Sequence, residues 1–84
     1  MKTLAEIGYA VADHRKKSRL KQGQVAKQAG LPQESLSRLE RGQLSEFGTR
    51  KLLVILAVLG REITFKETGM SGTLDDLRRE LGGA

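Results

Sequence analysis

The 84-residue sequence contains no cysteine and no tryptophan, and it has a single histidine, His14. Without cysteine, neither disulfides nor thiolate ligands can stabilise the fold, and one histidine leaves little material for a metal site. The sequence also lacks a cysteine nucleophile, a histidine-based dyad and a glycine-rich phosphate loop, which argues against an enzyme. We therefore expect no metal, no cofactor and no catalytic residues.

Aromatic residues and long apolar runs are also scarce. The aromatic residues are Tyr9, Phe47 and Phe65, too few for a reader of single-stranded RNA, which stacks bases on aromatic rings. The longest apolar run, Leu52 to Leu59, is far shorter than the roughly twenty residues of a membrane-spanning helix. The N-terminus shows no sustained apolar stretch of the signal-peptide kind. These absences predict a soluble, cytoplasmic protein with no membrane partner.

Acidic residues are missing between His14 and Gln33, and the positive charge is concentrated there. The basic residues of this stretch are Arg15, Lys16, Lys17, Arg19, Lys21 and Lys27. The formal net charge is +5, whereas from Arg61 onward basic and acidic residues nearly balance. A one-sided positive field suits a polyanion, either nucleic acid or an acidic membrane surface, although a solvated basic face would look the same.

Apolar periodicity and helix-terminating residues predict four helices in the first 60 residues. They are expected at about Leu4–Lys17, Gln22–Ala29, Gln33–Arg41 and Gly48–Leu59. Thr3 and Glu6 have the spacing of a capping box at the start of the first helix. Gly30 is suited to end the second helix, and Pro32 is suited to open the third.

The fourth helix and the segment after it predict a partner chain. The run from Leu52 to Leu59 is apolar on every side, and three short helices cannot easily cover all of it. A second chain would cover the rest, or, as a weaker alternative, the C-terminal tail would fold back over it. Residues 62–66 then alternate with Ile63 and Phe65 on one face, which predicts a strand that needs a pairing partner. The expected interface residues are Leu56, Leu59, Ile63 and Phe65.

The remaining residues predict a short C-terminal element. Thr73 is placed to cap a last helix whose apolar stripe is Leu74, Leu77 and Leu81, although a helix this short is marginal alone. We therefore predict a mainly all-α fold of four to five helices, with one C-terminal strand paired between chains. Residues 1–60 would form one helical domain, and residues 61–84 a dimerisation or partner-binding extension.

Two short helices joined by a glycine-containing turn make a helix-turn-helix arrangement. Its most specific stretches are Leu-x-Gln-x-x-x-Ala-x-x-Ala-Gly at residues 20–30 and Ser-Arg-Leu-Glu-Arg-Gly at residues 37–42. Together they make the sequence resemble the phage-repressor-type, or Xre, helix-turn-helix family over roughly residues 7–59. The resemblance implies a repressor-like fold in which residues 1–60 are the helix-turn-helix DNA-binding domain. Such a protein binds double-stranded DNA with the third helix in the major groove.

The resemblance also implies roles for single residues. Gln22 matches a position that contacts a phosphate or the recognition helix. The positions whose side chains reach base edges in that family are occupied here by Gln33, Glu34 and Arg38, and Ser37 lies on the same surface. Arg41 matches a phosphate-contacting position, and Arg15 and Glu40 match an ion pair that joins the first helix to the end of the third.

The chemistry of these side chains independently favours DNA. Gln33, Ser37 and Arg41 are spaced i, i+4, i+8, so they share one helical face, and Arg38 lies beside it. Arginine can donate two parallel hydrogen bonds to guanine, and glutamine can pair with adenine. Lys21 and Lys27 can supply phosphate attraction, which is strong but insensitive to sequence.

Three residues depart from the family pattern. Lys21 stands where a serine, threonine or asparagine usually caps the second helix, and Pro32 stands where the third helix usually has a polar cap. Glu34 stands at a base-reading position, although a carboxylate repels phosphates. It can accept from cytosine, face solvent or pair with Lys27. Its role therefore stays open from the sequence.

Two functional hypotheses follow from these features. The first is a homodimeric transcriptional repressor, whose two recognition helices would lie about 34 Å apart on a pseudo-palindrome. The second is an antitoxin, because residues 48–53 and the helix, glycine and strand that follow them are similar to small antitoxins of the same family. Such a protein would bind a toxin and repress its own operon, and the tail from Thr68 to Ala84 would fold on binding.

Overall fold

The computed structural model describes residues 1–68 of the chain, and this part is all-α. Its helices are α1 (Leu4–Lys17), α2 (Gln22–Ala29), α3 (Gln33–Glu40) and α4 (Thr49–Val58). These four match the sequence prediction to within one residue, because Arg41 and Leu59 are the residues that end α3 and α4. The helix predicted after Thr73 lies outside the described residues. No helix in the described part is long and apolar enough to cross a bilayer.

The helix ends follow from local hydrogen bonds. At the start of α1, the hydroxyl of Thr3 accepts from the backbone N–H of Glu6 at 3.1 Å, which satisfies one of the free donors of the first turn. Each helix is followed by a residue in the left-handed conformation. Three of these are glycines, but the one after α1 is Arg19, with φ of 58°. A side chain is unfavourable in this conformation, so the turn after α1 is more strained than the glycine turns after the other three helices.

One hydrophobic core joins the four helices. Its buried residues are Val11, Val25, Ala26, Leu36, Leu39, Leu52, Ile55 and Leu59. α3 lies between α1 and α2, and α2 also packs on α4. α1 and α3 approach closely at Gly8, where an added Cβ would overlap the carbonyl oxygen of Leu39. The lack of a side chain at Gly8 therefore sets the distance between α1 and α3.

The chain covers one face of α4 by itself. Leu52, Ile55 and Leu59 are buried in the core, whereas Leu53 is 46% exposed and Val54 is 37% exposed. Leu59 therefore offers little surface to a partner, and Leu56 packs partly against the same core. The apolar surface that α4 leaves to solvent centres on Leu53 and Val54, which the sequence analysis did not select.

Residues 61–68 form neither helix nor strand in the described single chain. Ile63 is 48% exposed, and the side chain of Phe65 is almost completely exposed. A strand requires a neighbouring strand to satisfy its backbone donors and acceptors, and the described residues of one chain offer none. The predicted strand and its pairing between chains are therefore not shown and stay predictions.

Candidate nucleic-acid interface

A short turn connects α2 to α3. Gly30 ends α2 with φ of 70°, and the N–H of Leu31 donates back to the carbonyl of Ala26 at 2.9 Å. Pro32 is the residue that precedes α3, and its carbonyl accepts from the N–H of Ser35 at 3.1 Å. Its ring cannot act as a polar cap, so α3 begins without a side-chain cap hydrogen bond. The turn nevertheless fixes α3 directly after α2, as a helix-turn-helix requires.

A buried ion pair anchors the far end of α3 to α1. The Nε of Arg15 donates to Oε2 of Glu40 at 2.7 Å, and its Nη2 donates to Oε1 at 2.8 Å. Its Nη1 donates to the carbonyl of Leu20 at 2.8 Å. The hydrogen bond to Glu40 raises the pKa of Arg15, which keeps the guanidinium charged. The ion pair predicted from the sequence is therefore present, with both side chains almost fully buried.

Gln22 belongs to this anchor. Its Nε2 donates to Oε1 of Glu40 at 2.9 Å, so the first residue of α2 is tied to the last residue of α3. Of the two roles implied for Gln22, this geometry favours contact with the recognition helix. Gln33, at the opposite end of α3, lies beside the first turn of α2, with its Oε1 3.5 Å from the position of a Cβ at Gly23. The hydrogen bond from Gln22 therefore ties the start of α2 to the end of α3.

The outer face of α3 is open to solvent. Gln33, Glu34, Arg38 and Arg41 are exposed, and Ser37 is partly exposed. This face lies opposite the buried Leu36 and Leu39, as the helical spacing predicted. All the side chains expected to read DNA therefore share one accessible surface of a helix that is rigidly held from behind.

Glu34 pairs with two arginines of its own helix. Its Oε1 accepts from Nε of Arg38 at 3.1 Å and from Nη2 of Arg41 at 3.4 Å. The alternative pairing with Lys27 is not observed in the structure. The i, i+4 and i, i+7 spacing of these residues explains the geometry, because all three stand on one side of α3.

Basic residues flank the outer face of α3. Lys21, directly before α2, and Lys27 on α2 are exposed. Lys17 at the end of α1 pairs with Asp13 at 2.9 Å, and this hydrogen bond lowers the pKa of the Asp13 carboxyl. A carboxyl with a lowered pKa stabilises the fold above its ordinary titration range and loses that effect as the pH falls. At neutral pH the charge of Lys17 is therefore partly offset, whereas Lys21 and Lys27 form no ion pair with any other residue of the described range 1–68.

The start of α4 also borders the outer face of α3. A groove of about 640 Å³ runs between α3 and the beginning of α4, and its walls include Arg38, Thr49 and Lys51 together with the carboxylates of Glu34 and Glu46. α4 has no acidic residue in its first turn, although helix dipoles favour acids there. The free backbone donors at the start of α4 and the cationic side chains beside them attract a phosphate, whereas the carboxylates of Glu34 and Glu46 oppose one. The signal was present in the residues Thr49-Arg50-Lys51, which the sequence analysis used only for the resemblance to antitoxins.

His14 and Tyr9 both lie on α1 and do not belong to the outer face of α3. Among residues 1–68, the buried Nδ1 atom of His14 has no hydrogen-bond partner, and it lies beside an apolar groove lined by α1, α4 and residues 61–66. Tyr9 is about half exposed and its ring lies against Gly42, where an added Cβ would be 2.6 Å from the hydroxyl. Within residues 1–68, no group of three metal-ligating side chains comes together.

Comparison with known proteins agrees with this arrangement. A search of curated proteins finds no match. A family model described as a helix-turn-helix domain matches residues 1–66, which include all four helices and the residues of the predicted strand. The chain therefore belongs to the helix-turn-helix domain family of DNA-binding regulators.

Proposed function

We propose that the chain is a sequence-specific transcriptional repressor that binds DNA as a homodimer, with the outer face of α3 in the major groove. The observation that carries this proposal is the contrast between the two sides of α3. Its inner side is fixed by the core and by the Arg15–Glu40 ion pair, whereas its outer side presents Gln33, Ser37 and Arg38 to solvent. A rigid helix with exposed, base-complementary side chains is what direct readout needs.

Affinity and specificity would come from different residues. Lys21, Lys27 and the start of α4 carry positive charge beside α3, and phosphate contacts of this kind give affinity that falls with salt. Gln33 and Arg38 can make bidentate hydrogen bonds to adenine and guanine, each worth roughly 1–3 kcal/mol of discrimination. Glu34 is in the same surface, but its carboxylate is engaged by two arginines.

Replacing Arg38 with alanine should relax the preference at one base pair. The measurement is selection of bound sequences from random duplex DNA at near-physiological salt, carried out for the wild type and for Arg38→Ala. The wild type should recover a pseudo-palindrome with half-sites about one helical turn apart, roughly 34 Å. The variant should lose one guanine preference in each half-site, with discrimination at that position reduced about tenfold or more.

Lys27→Ala is the matched control for that selection. It removes one positive charge from α2 without touching α3, so it should weaken all sequences alike and reduce the salt dependence of binding by about one ion. If Arg38→Ala behaves like Lys27→Ala, Arg38 contacts phosphate and the assignment of Arg38 as a base reader is wrong. If the wild type recovers no preferred sequence, the proposal of a sequence-specific regulator is wrong.

Dimerisation is supported by the apolar surface that one chain leaves exposed. Leu53 and Val54 on α4 and Ile63 and Phe65 beyond it are all more than a third exposed. A fully exposed side chain of this size, such as Phe65, gains roughly 1.5–3 kcal/mol when it is buried, and the half-exposed ones gain correspondingly less. A second copy would bury this surface and could supply the backbone partner that residues 62–66 need to form a strand.

Phe65→Glu should convert the dimer into a monomer at micromolar concentration. The charge would have to be buried at the proposed interface, which weakens association by at least several kcal/mol in total. Sedimentation equilibrium of wild type and variant measures this change directly. Lys66→Glu is the control, because it changes a neighbouring exposed residue that alternation places on the opposite face. A wild-type chain that stays monomeric, or a Phe65→Glu dimer, contradicts this interface.

The second candidate function is an antitoxin that binds a toxin and represses its own operon. The exposure of Ile63 and Phe65 favours it equally, because a different protein can add a strand to the same segment. The two candidates differ in what covers that segment. A wild-type monomer, together with a toxin gene directly beside this one, would favour the antitoxin. A stable homodimer without such a gene would favour the stand-alone repressor.

A further inference from the structure

Glu34 is the one acidic residue in α3 that faces solvent, and it stands in the middle of the surface proposed to contact DNA. It is well exposed, and so are its two partners, Arg38 and Arg41. Glu40, the other carboxylate of α3, is buried against Arg15. A free carboxylate beside a polyanion is unfavourable, so an exposed one at this place needs a physical explanation.

The two arginines are held by different parts of their guanidinium groups. Arg38 donates to Glu34 through Nε, which leaves both of its terminal nitrogens, Nη1 and Nη2, free of Glu34. Arg41 uses Nη2 for Glu34 and Nε for the backbone carbonyl of Ser37, at 3.4 and 3.3 Å. Arg38 can therefore approach a guanine with its terminal nitrogens while keeping its contact with Glu34. Arg41 must give up a contact before the Nε–Nη2 edge of its guanidinium can bind a phosphate.

We propose that Glu34 is a specificity-determining residue that acts through Arg38 and Arg41, rather than a reader of a base. It orients Arg38 for guanine, and it keeps both arginines from binding phosphates at random. The proposal rests on the proposed function of sequence-specific DNA binding. Its consequence is that Glu34 weakens binding to unrelated DNA more than binding to the preferred site.

The effect of Glu34 on affinity should differ measurably between the preferred site and unrelated DNA. An exposed ion pair within a helix changes an equilibrium by only about a factor of two, so one good base contact is enough to replace it. A bidentate arginine–guanine contact discriminates by roughly tenfold or more, but it is available only at the preferred sequence. On unrelated DNA, the arginines gain only phosphate contacts, and these must compete with the two ion pairs to Glu34.

Glu34→Gln tests the proposal. Dissociation constants are measured over a series of salt concentrations for the duplex selected by the wild type and for a scrambled duplex of equal length. The variant should bind the scrambled duplex about three- to tenfold more tightly at low salt, with a salt dependence steeper by about one to two ions. Binding to the selected duplex should improve less, so the ratio of the two dissociation constants should fall severalfold.

Two further variants separate the mechanisms. Glu6→Gln removes the same charge from the first turn of α1, outside the helix-turn-helix, and should change the two dissociation constants by less than a factor of about two. In an Arg38→Ala/Arg41→Ala background, Glu34→Gln should lose most of its effect on the scrambled duplex, because the groups through which it acts are gone. Circular dichroism spectra and unfolding midpoints of all variants check that the helices are intact.

Several results would overturn the proposal. An equal gain on both duplexes, or an effect that persists without the arginines, would make Glu34 a general repulsive charge. A selective loss on the chosen duplex, with a changed base preference at one position, would make it a base reader. If the wild type itself binds both duplexes equally, the proposed function fails and this inference fails with it. If the wild type discriminates between the two duplexes and Glu34→Gln shows the same ratio of dissociation constants, only the role of Glu34 is wrong.

Discussion

Gly8→Ala should destabilise the domain by about 3 kcal/mol, the upper part of the range for overpacked cores. The added Cβ would overlap the carbonyl oxygen of Leu39 and lie 2.8 Å from its carbonyl carbon. Both atoms belong to the backbone of α3, so no side-chain rotation can relieve the overlap. α1 must move away from α3, which opens the core around Val11 and stretches the Arg15–Glu40 ion pair. For a small domain, a loss of this size is a large part of the total stability.

Urea unfolding followed by circular dichroism measures the effect, and Gly23→Ala provides the control. Gly23 is also a helical glycine, but a Cβ there meets only the side chain of Gln33, at 3.5 Å. Alanine is the better helix former, so Gly23→Ala should be neutral or stabilising by up to about 1 kcal/mol. Opposite signs at the two positions would establish the close approach of α1 and α3. A Gly8→Ala variant as stable as the wild type would show that the two helices are further apart than described here.

The positions of the helices could be predicted because their signals are local. The cap at Thr3 and the glycines that end α2, α3 and α4 act within a few residues of their own helix ends. The outer face of α3 followed from helical spacing alone, since the alternative face carries Leu36 and Leu39. The ion pair between Arg15 and Glu40 is a contact between distant residues, and it could be foreseen only from the family resemblance.

The remaining features depend on how the helices meet. Nothing in the sequence around Gly8 says that the backbone of Leu39 passes there, because that contact is fixed by the packing of α1 on α3. For the same reason, the sequence could not tell that Leu59 is buried and that Leu53 and Val54 are exposed. The partners of Glu34 are a different case. Their i, i+4 and i, i+7 spacing from Glu34 is visible in the sequence, but spacing alone does not decide between Arg38 and Arg41 on the same helix and Lys27 on α2.

Breaking the buried Arg15–Glu40 ion pair from one side should cost about 3–5 kcal/mol. Arg15→Met keeps most of the side-chain volume, but it leaves the Glu40 carboxylate buried with Gln22 as its remaining hydrogen-bond donor. A buried charge without its counter-ion is strongly unfavourable, since water cannot solvate it. It also leaves the carbonyl of Leu20 without the donor supplied by Nη1 of Arg15. The raised pKa of Arg15 means that its charge contributes to stability below its ordinary titration range and is lost only at higher pH.

The double variant Arg15→Met/Glu40→Leu should recover most of the stability lost by Arg15→Met. Replacing both charges removes the desolvation penalty together with the attraction, and buried ion pairs replaced by apolar residues are often as stable as the original. Urea unfolding of the wild type, both single variants and the double variant gives the coupling energy as a double-mutant cycle. Lys17→Met is the control at an exposed ion pair, where a loss of at most about 1 kcal/mol is expected. If the double variant is no more stable than Arg15→Met, the ion pair itself, rather than the unpaired charge, determines stability.

DNA binding by the double variant then shows what the ion pair contributes beyond stability. Arg15, Gln22 and Glu40 make directional hydrogen bonds that join α1, α2 and α3, whereas methionine and leucine can pack in several arrangements. The double variant should therefore fold but hold α3 less uniquely. Its binding to scrambled DNA should stay close to that of the wild type, while discrimination of the selected duplex should fall about tenfold, since small misplacements weaken bidentate base contacts most. Unchanged discrimination would mean that the apolar core and the α2–α3 turn are sufficient to place α3.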